Sequence, residues 1–100
     1  MIEEFSEKFN RDFKKLKREH RDLFLESRIA VLDAVEAYES GKSFQLPSKY
    51  RLKQLRNANG LLALTWSFKS PDGRATFTLT QDETETYLTW YRVGTHEIFK

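Results

Sequence analysis

The chain has no cysteine and contains only two prolines and four glycines in 100 residues. Without cysteine it can form neither a disulfide framework nor a cysteine–zinc cluster. No apolar run approaches the roughly 20 residues that a membrane-spanning helix needs. The N-terminal segment MIEEFSEKF is acidic and polar, which does not match a signal peptide. We therefore expect a cytoplasmic protein without a membrane partner.

Signatures of the common enzyme classes are also missing from the sequence. There is no GxSxG nucleophile motif, no HExxH zinc motif and no glycine-rich phosphate loop. We expect neither a metal nor a cofactor.

What the chain does have is enough apolar material for one compact domain, residues 1–100. Of its residues 39% are hydrophobic and 32% are charged, and eight of the 14 aromatic residues are Phe. The net charge is only +2, but residues 41–74 carry seven Lys or Arg and a single acid, Asp72. Such a basic block suits a polyanionic partner, although a solvated basic surface is an equal alternative on charge alone.

The first 40 residues predict two helices, over residues 7–18 and 23–39. Phe5, Phe9, Phe13 and Leu16 have helical spacing, and Ser6 is placed to cap the first helix. The second apolar stripe is formed by Leu25, Ile29, Leu32 and Val35, widened by Phe24, Val31 and Tyr38. The polar segment REHRD is expected to turn the chain, with His20 on the surface and Asp22 as the second N-cap. One continuous helix is the alternative, since KREHRD contains no Gly or Pro.

After Gly41, a natural helix stop, the pattern changes to short β-rich runs. YRLKQL, LLALTWSF, RATFTLT and TYLTWYRV predict four strands between residues 50 and 94. The segment SPDG at 70–73 predicts a tight turn, with Gly73 able to take positive φ. The expected fold class is α+β, an N-terminal helical hairpin packed on a four-stranded, mostly antiparallel sheet.

In their order along the chain, these segments resemble the RelE/ParE toxin superfamily. FSEKFNRDFKKL is similar to the first helix of the family, YESGKSFQLPSKYRLKQLRN to its loop and basic strand, and DGRATFTL to its arginine-bearing strand. WYRVGTH is similar to the last strand and the terminal functional residue.

The resemblance implies a type II toxin that acts as an mRNA endoribonuclease on the ribosome, without a metal, and is neutralised by a cognate antitoxin. The ribosome and mRNA would then be its other partners, its effect would be inhibition of translation, and its oligomeric state would be set through the antitoxin.

The same resemblance assigns candidate site residues. His96 would be the general acid or base, and Arg74 and Arg56 would stabilise the charge that develops on the phosphate. RNA-binding roles fall on Lys53, Arg51, Phe99, Lys14 and Lys15. Ala63 and Thr65 depart from the family pattern, because the prototype toxin has catalytic lysines at these positions.

Two other functions remain open at this point. The chain could be a ParE-like toxin that poisons DNA gyrase without catalysis, or a homologue that has lost activity. His96 favours the nuclease, and the missing lysines count against it.

Overall fold

In a computed structural model, which describes residues 1–55, 60–69 and 72–95, two helices pack on one face of a five-stranded sheet. Strand β1 (Ile2–Phe5) is followed by helices α1 (Glu7–Lys15) and α2 (Arg18–Glu39). A short 3-10 helix (Ser48–Tyr50) leads into β2 (Lys53–Gln54), β3 (Leu62–Ser67), β4 (Gly73–Gln81) and β5 (Thr86–Thr95). The α+β class and the four strands after residue 50 are therefore confirmed.

The expectation of a four-stranded sheet is wrong, because the segment IEEF forms a fifth strand. The strand order is β1-β5-β4-β3-β2, and β1 pairs in parallel with β5, Ile2 opposite Tyr87 and Phe5 opposite Trp90. The other strand pairs are antiparallel, so the sheet is mixed. A partner strand about 85 residues further along the chain leaves no local pattern by which so short a strand could be detected.

The two helices are separate, but the break lies earlier than the sequence suggests. Leu16 and Lys17 both take extended conformations, with ψ of 144° and 153°, and α2 starts at once at Arg18. REHRD is thus the first turn of α2, and Asp22 is not its N-cap. Ser6 does cap α1, because its hydroxyl accepts a hydrogen bond of 3.0 Å from the Phe9 N–H.

Helix α2 buries only part of the predicted stripe: Phe24, Val31 and Val35 are confirmed, and Leu25 and Ile29 are not. Phe24, Ser27, Val31, Ala34 and Val35 are buried, whereas Leu25 and Ile29 are 40% and 58% exposed. Gly41 ends the helix as expected: its φ is +97°, and the Lys42 N–H donates to the Ala37 carbonyl. Among the described residues, neither helix combines the length and apolar character that crossing a membrane requires.

An aromatic core fills the space between the helices and the sheet. The Trp90 ring lies 5.1 Å from Phe24, 5.0 Å from Phe77 and 6.1 Å from Phe9, centroid to centroid. The Trp90 indole N–H donates to Glu3, which also accepts a hydrogen bond of 2.8 Å from Arg28. The indole N–H of the buried Trp90 therefore has a hydrogen-bond partner, and Glu3 links β1 to α2.

Candidate functional site

Three cations meet on the sheet face that points away from the helices. Lys53 pairs with Ala63, and Arg74 pairs with Thr65, so these side chains follow one face across β2, β3 and β4. The next pair, Leu64 and Ala75, is buried in the core on the opposite face. A cavity of about 220 Å³, the cationic cavity, is lined by Arg51, Lys53, Ala63, Leu64, Thr65 and Arg74.

Arg51 enters this cavity from an unusual backbone conformation. Its φ and ψ of 48° and 46° are left-handed, which costs a non-glycine residue on the order of 1 kcal/mol or more. Its N–H donates to Ser48 at 3.0 Å and closes the 3-10 turn. The guanidinium lies over the Phe68 ring, 5.6 Å from the ring centre, in a cation–π contact.

Arg74 is held through its backbone, which leaves its guanidinium weakly paired. The Trp66 indole N–H donates to the Arg74 carbonyl at 2.8 Å. The nearest carboxylate, Asp72, lies 3.9 Å away, and the Arg74 side chain is 29% exposed. Because the backbone is fixed and the charge is only loosely compensated, the guanidinium is available to an anion in the cavity.

A β-bulge and a glycine place the Trp66 ring beside Arg74. The pairing of β3 with β4 shifts between Thr65 and Ser67, as a bulge does, and a bulge re-aims the side chain it carries. A Cβ at Gly73 would come within 2.5 Å of the Trp66 ring. Gly73 does not take the positive φ that the predicted turn allowed. It lies in β4, where only a residue without a side chain fits under Trp66. The rest of that turn, residues 70–71, lies outside the described residues.

The structure brings together part of the predicted site. Arg51, Lys53 and Arg74 share the cationic cavity, and Ala63 and Thr65 lie between them. Lys14 and Lys15 are exposed in the last turn of α1 and do not line this cavity. His96, Arg56 and Phe99 lie outside the described residues.

The sequence interpretation wrongly placed His20 on the surface. His20 is half-buried, and its ring centre lies 5.4 Å from that of Trp66. It lines two cavities, one of about 410 Å³ between α2 and the end of β3, and one of about 370 Å³ beside Thr95. His20 precedes Phe24 by four positions, so it continues the buried stripe of α2. The start of that helix at Arg18 is what the prediction missed.

One ion pair braces the frame beside the cavity of about 370 Å³. The Asp12 carboxylate accepts hydrogen bonds of 2.7 Å from Arg92 and 3.2 Å from the Val93 N–H, which joins α1 to β5. The hydrogen bond that Arg92 donates to Asp12 raises the pKa of Arg92 above its ordinary value. Across residues 1–55, 60–69 and 72–95, no group of three His, Asp or Glu side chains could hold a metal ion.

Neither protein-family models nor curated protein sequences give a match to this chain, but solved structures do. A YoeB/ParE toxin from Agrobacterium tumefaciens superposes with a TM-score of 0.66 at 11% identity, over 96% of this chain and 99% of that one. The E. coli RelBE toxin–antitoxin complex gives a TM-score of 0.58 at 16% identity, over 93% of both chains. The chain has the RelE/ParE toxin fold. A substituted E. coli RelE in the free state also matches, with a TM-score of 0.57 at 18% identity over 97% of this chain and 84% of that one.

In this chain, β3 contributes no charged side chain to the wall of the cationic cavity. Ala63 and Thr65 leave two positions of the cavity wall neutral, and Arg51 and Lys53 line the same cavity beside them. The positive charge therefore comes from the edge segment before β3 and from β4, rather than from β3 itself.

Proposed function

We propose that this protein is a type II toxin that cuts mRNA on the ribosome and is neutralised by an antitoxin. The cationic cavity carries the proposal. Three basic side chains converge on the open face of the sheet, with one carboxylate nearby at 3.9 Å from Arg74. The likeness to YoeB/ParE and RelE toxins supports the toxin class through the fold, and the cavity supports a phosphate-bearing target.

The reaction needs charge stabilisation more than it needs a bound cofactor. The ribose 2′-oxygen attacks the adjacent phosphorus, the bond from phosphorus to the 5′-oxygen breaks, and one proton moves from the first oxygen to the second. Negative charge builds up on the phosphate oxygens during this transfer. Arg74, Arg51 and Lys53 are placed to offset it, with Arg56 as a further cation.

His96 is proposed as the group that moves the proton. Arg74 pairs with Gly94 near the end of β5, and His96 follows Gly94 by two positions in the sequence. We propose that His96 and Arg74 act on one phosphate, since the ordinary pKa of a histidine side chain, near neutrality, suits it to acid or base catalysis.

The test is cleavage of a defined mRNA on purified, programmed ribosomes. Arg74→Ala should slow cutting by about 100-fold or more, and His96→Ala by about 10²–10⁴-fold. Lys42→Ala is the control, because Lys42 is an exposed cation beyond the end of α2, does not line the cationic cavity and should leave the rate unchanged. If both site variants cut at the wild-type rate, the assignment of the site is wrong.

Induction of the wild-type protein in cells distinguishes the proposed nuclease from the two rival functions. A ParE-like gyrase poison would produce double-strand DNA breaks in cells and leave the ribosomal mRNA intact. A homologue without activity would do neither, and its induction would not slow growth. If the protein is the proposed nuclease, the mRNA ends mapped after its induction should follow the codon phase.

We also propose the site at which the antitoxin binds. The RelBE complex is an assembly of a toxin with its antitoxin, and this chain exposes apolar side chains along its helical hairpin. Leu25 lines an apolar depression of about 260 Å³ between α1 and α2, and Ile29 lies one turn further along α2. Ile29→Lys should weaken the co-purification of an antitoxin encoded in the neighbouring reading frame. Lys42→Ala, beyond the helix end, should leave co-purification unchanged, and an equal yield from both variants would contradict the proposed surface.

Lys14 and Lys15 extend a basic, exposed face of α1, which we propose as a contact for ribosomal RNA. Their joint replacement by Ala should weaken ribosome binding at low salt and leave the antitoxin bound.

A further inference from the structure

A second cavity, of about 410 Å³, lies on the helix side of β3, and four of the residues that line it have aromatic rings. His20, Tyr50, Trp66 and Phe68 line it, and we refer to it as the aromatic cavity. Tyr50 and Trp66 are almost fully buried, whereas Phe68 is 46% exposed and His20 is half-buried. The buried rings thus form the floor, and Phe68 offers a ring that a flat ligand can stack on.

The rim of the aromatic cavity carries balanced charge. Glu19 and Glu26 lie on the α2 side, and Lys49 and Lys69 lie on the sheet side. Two carboxylates accept hydrogen bonds, and two ammonium groups donate them. A ligand with flat apolar faces and a polar edge that has both donors and acceptors matches this arrangement.

Two direct contacts join the aromatic cavity to the cationic cavity. Trp66 forms part of the aromatic wall, and its indole N–H is bonded to the Arg74 carbonyl at 2.8 Å. Phe68 forms another part of that wall, and its ring lies under the Arg51 guanidinium at 5.6 Å. The two cavities are therefore neighbours across the end of β3, one suited to phosphate and the other to a planar ring.

We propose that the aromatic cavity binds the unstacked base of an RNA nucleotide that flanks the phosphate in the cationic cavity. The inference rests on the proposed function, which supplies RNA as the ligand of the cationic cavity. A nucleobase has a flat face that can stack on the Phe68 ring. The amino and carbonyl groups on its edge can hydrogen-bond to the carboxylates and ammonium groups of the rim. Proteins recognise single-stranded RNA by such splayed, stacked bases.

The inference is tested with a short RNA that cannot be cut. A trinucleotide with methylated 2′-hydroxyls is titrated into the protein, beside versions in which one nucleotide is abasic. Stacking of one base accounts for about 5- to 150-fold in affinity, so one abasic version should bind more weakly by that factor. In nitrogen–proton spectra the Trp66 indole signal should shift. The Trp90 indole, bonded to Glu3 in the core, should not.

Phe68→Leu is the decisive variant, since it keeps an apolar side chain and removes the flat face. In the Phe68→Leu variant, the affinity for the intact trinucleotide should fall to that of the more weakly binding abasic version. The affinity for that abasic version should not change. Tyr91→Leu is the matched control, because Tyr91 is 39% exposed and lines a different depression. It should change neither affinity.

Each contrary result overturns the inference. These results are equal binding of every abasic version, an unchanged base contribution in Phe68→Leu, a shift of Trp90 without Trp66, or no binding at all. The proposed function is judged separately, by cleavage on ribosomes. Wild-type cutting without a base contribution at Phe68 would refute only the aromatic cavity, and base binding without cutting would refute only the nuclease.

Discussion

Replacing Gly73 by Ala tests whether Trp66 is fixed where the structure places it. A Cβ at Gly73 would lie 2.5 Å from three atoms of the Trp66 ring, whereas ordinary contacts fall between 3.4 and 4 Å. The ring would have to move by roughly 1 Å. Trp66 is only 2% exposed, and moving it strains its hydrogen bond to Arg74.

The expected cost follows from these two effects. Overpacking a core costs about 1–3 kcal/mol, and a lost hydrogen bond costs about 1 kcal/mol more. The free energy of unfolding should therefore fall by about 2–4 kcal/mol in Gly73→Ala. For a domain of this size, that corresponds to a drop of roughly 8 °C or more in Tm.

Urea unfolding followed by circular dichroism measures this change. The control is Thr80→Ala on the exposed end of β4, whose free energy of unfolding should stay within about 0.5 kcal/mol of the wild-type value. A double-mutant cycle adds Trp66→Leu, which opens space over residue 73. The double variant should be more stable than the sum of the single changes predicts, by about 1 kcal/mol or more. A Gly73→Ala variant as stable as the wild type, or strict additivity, would refute the close approach of Trp66.

Three further predictions concern the frame and the site. Burial raises the pKa of Glu3, but the hydrogen bonds from Arg28 and Trp90 and the charge of Arg28 outweigh it and lower the pKa below the ordinary 4.5. The stability that this carboxylate contributes is therefore fully present above about pH 4.5 and is lost as the pH falls through its lower folded-state value. Acid unfolding of Glu3→Gln should lack this part of the pH dependence, and an unchanged profile would contradict the network. Ser6→Ala should cost about 1–2 kcal/mol, because it removes the cap of α1 and the hydrogen bond that the Ser6 hydroxyl donates to the Tyr91 carbonyl, whereas Ser6→Asp should restore only the cap. Arg74→Lys should keep the fold but recover only part of the cleavage rate, since the fork of the guanidinium is lost; full recovery would show that charge alone suffices.

The helical and strand periods were readable from the sequence because both depend on near neighbours. Phe9 and Phe24 repeat with their helices, so both could be assigned to an apolar helix face before any partner was known. The basic block over residues 41–74 was equally visible, and three of its cations do meet on one face of the sheet. His96, Arg56 and Phe99 stay predictions.

Pairing between distant segments was decided only by the tertiary structure. Strand β1 owes its existence to β5, and the buried stripe of α2 is set by where the sheet lies under it. Once α2 begins at Arg18, His20 faces Trp66, while Leu25 and Ile29 turn outward. The role of Gly73 likewise depends on a bulge in the neighbouring strand. A sequence pattern records which side chains are apolar and how often they recur. The surface that each side chain meets is fixed by contacts between residues far apart in the chain, because burial stabilises only the faces that other elements cover.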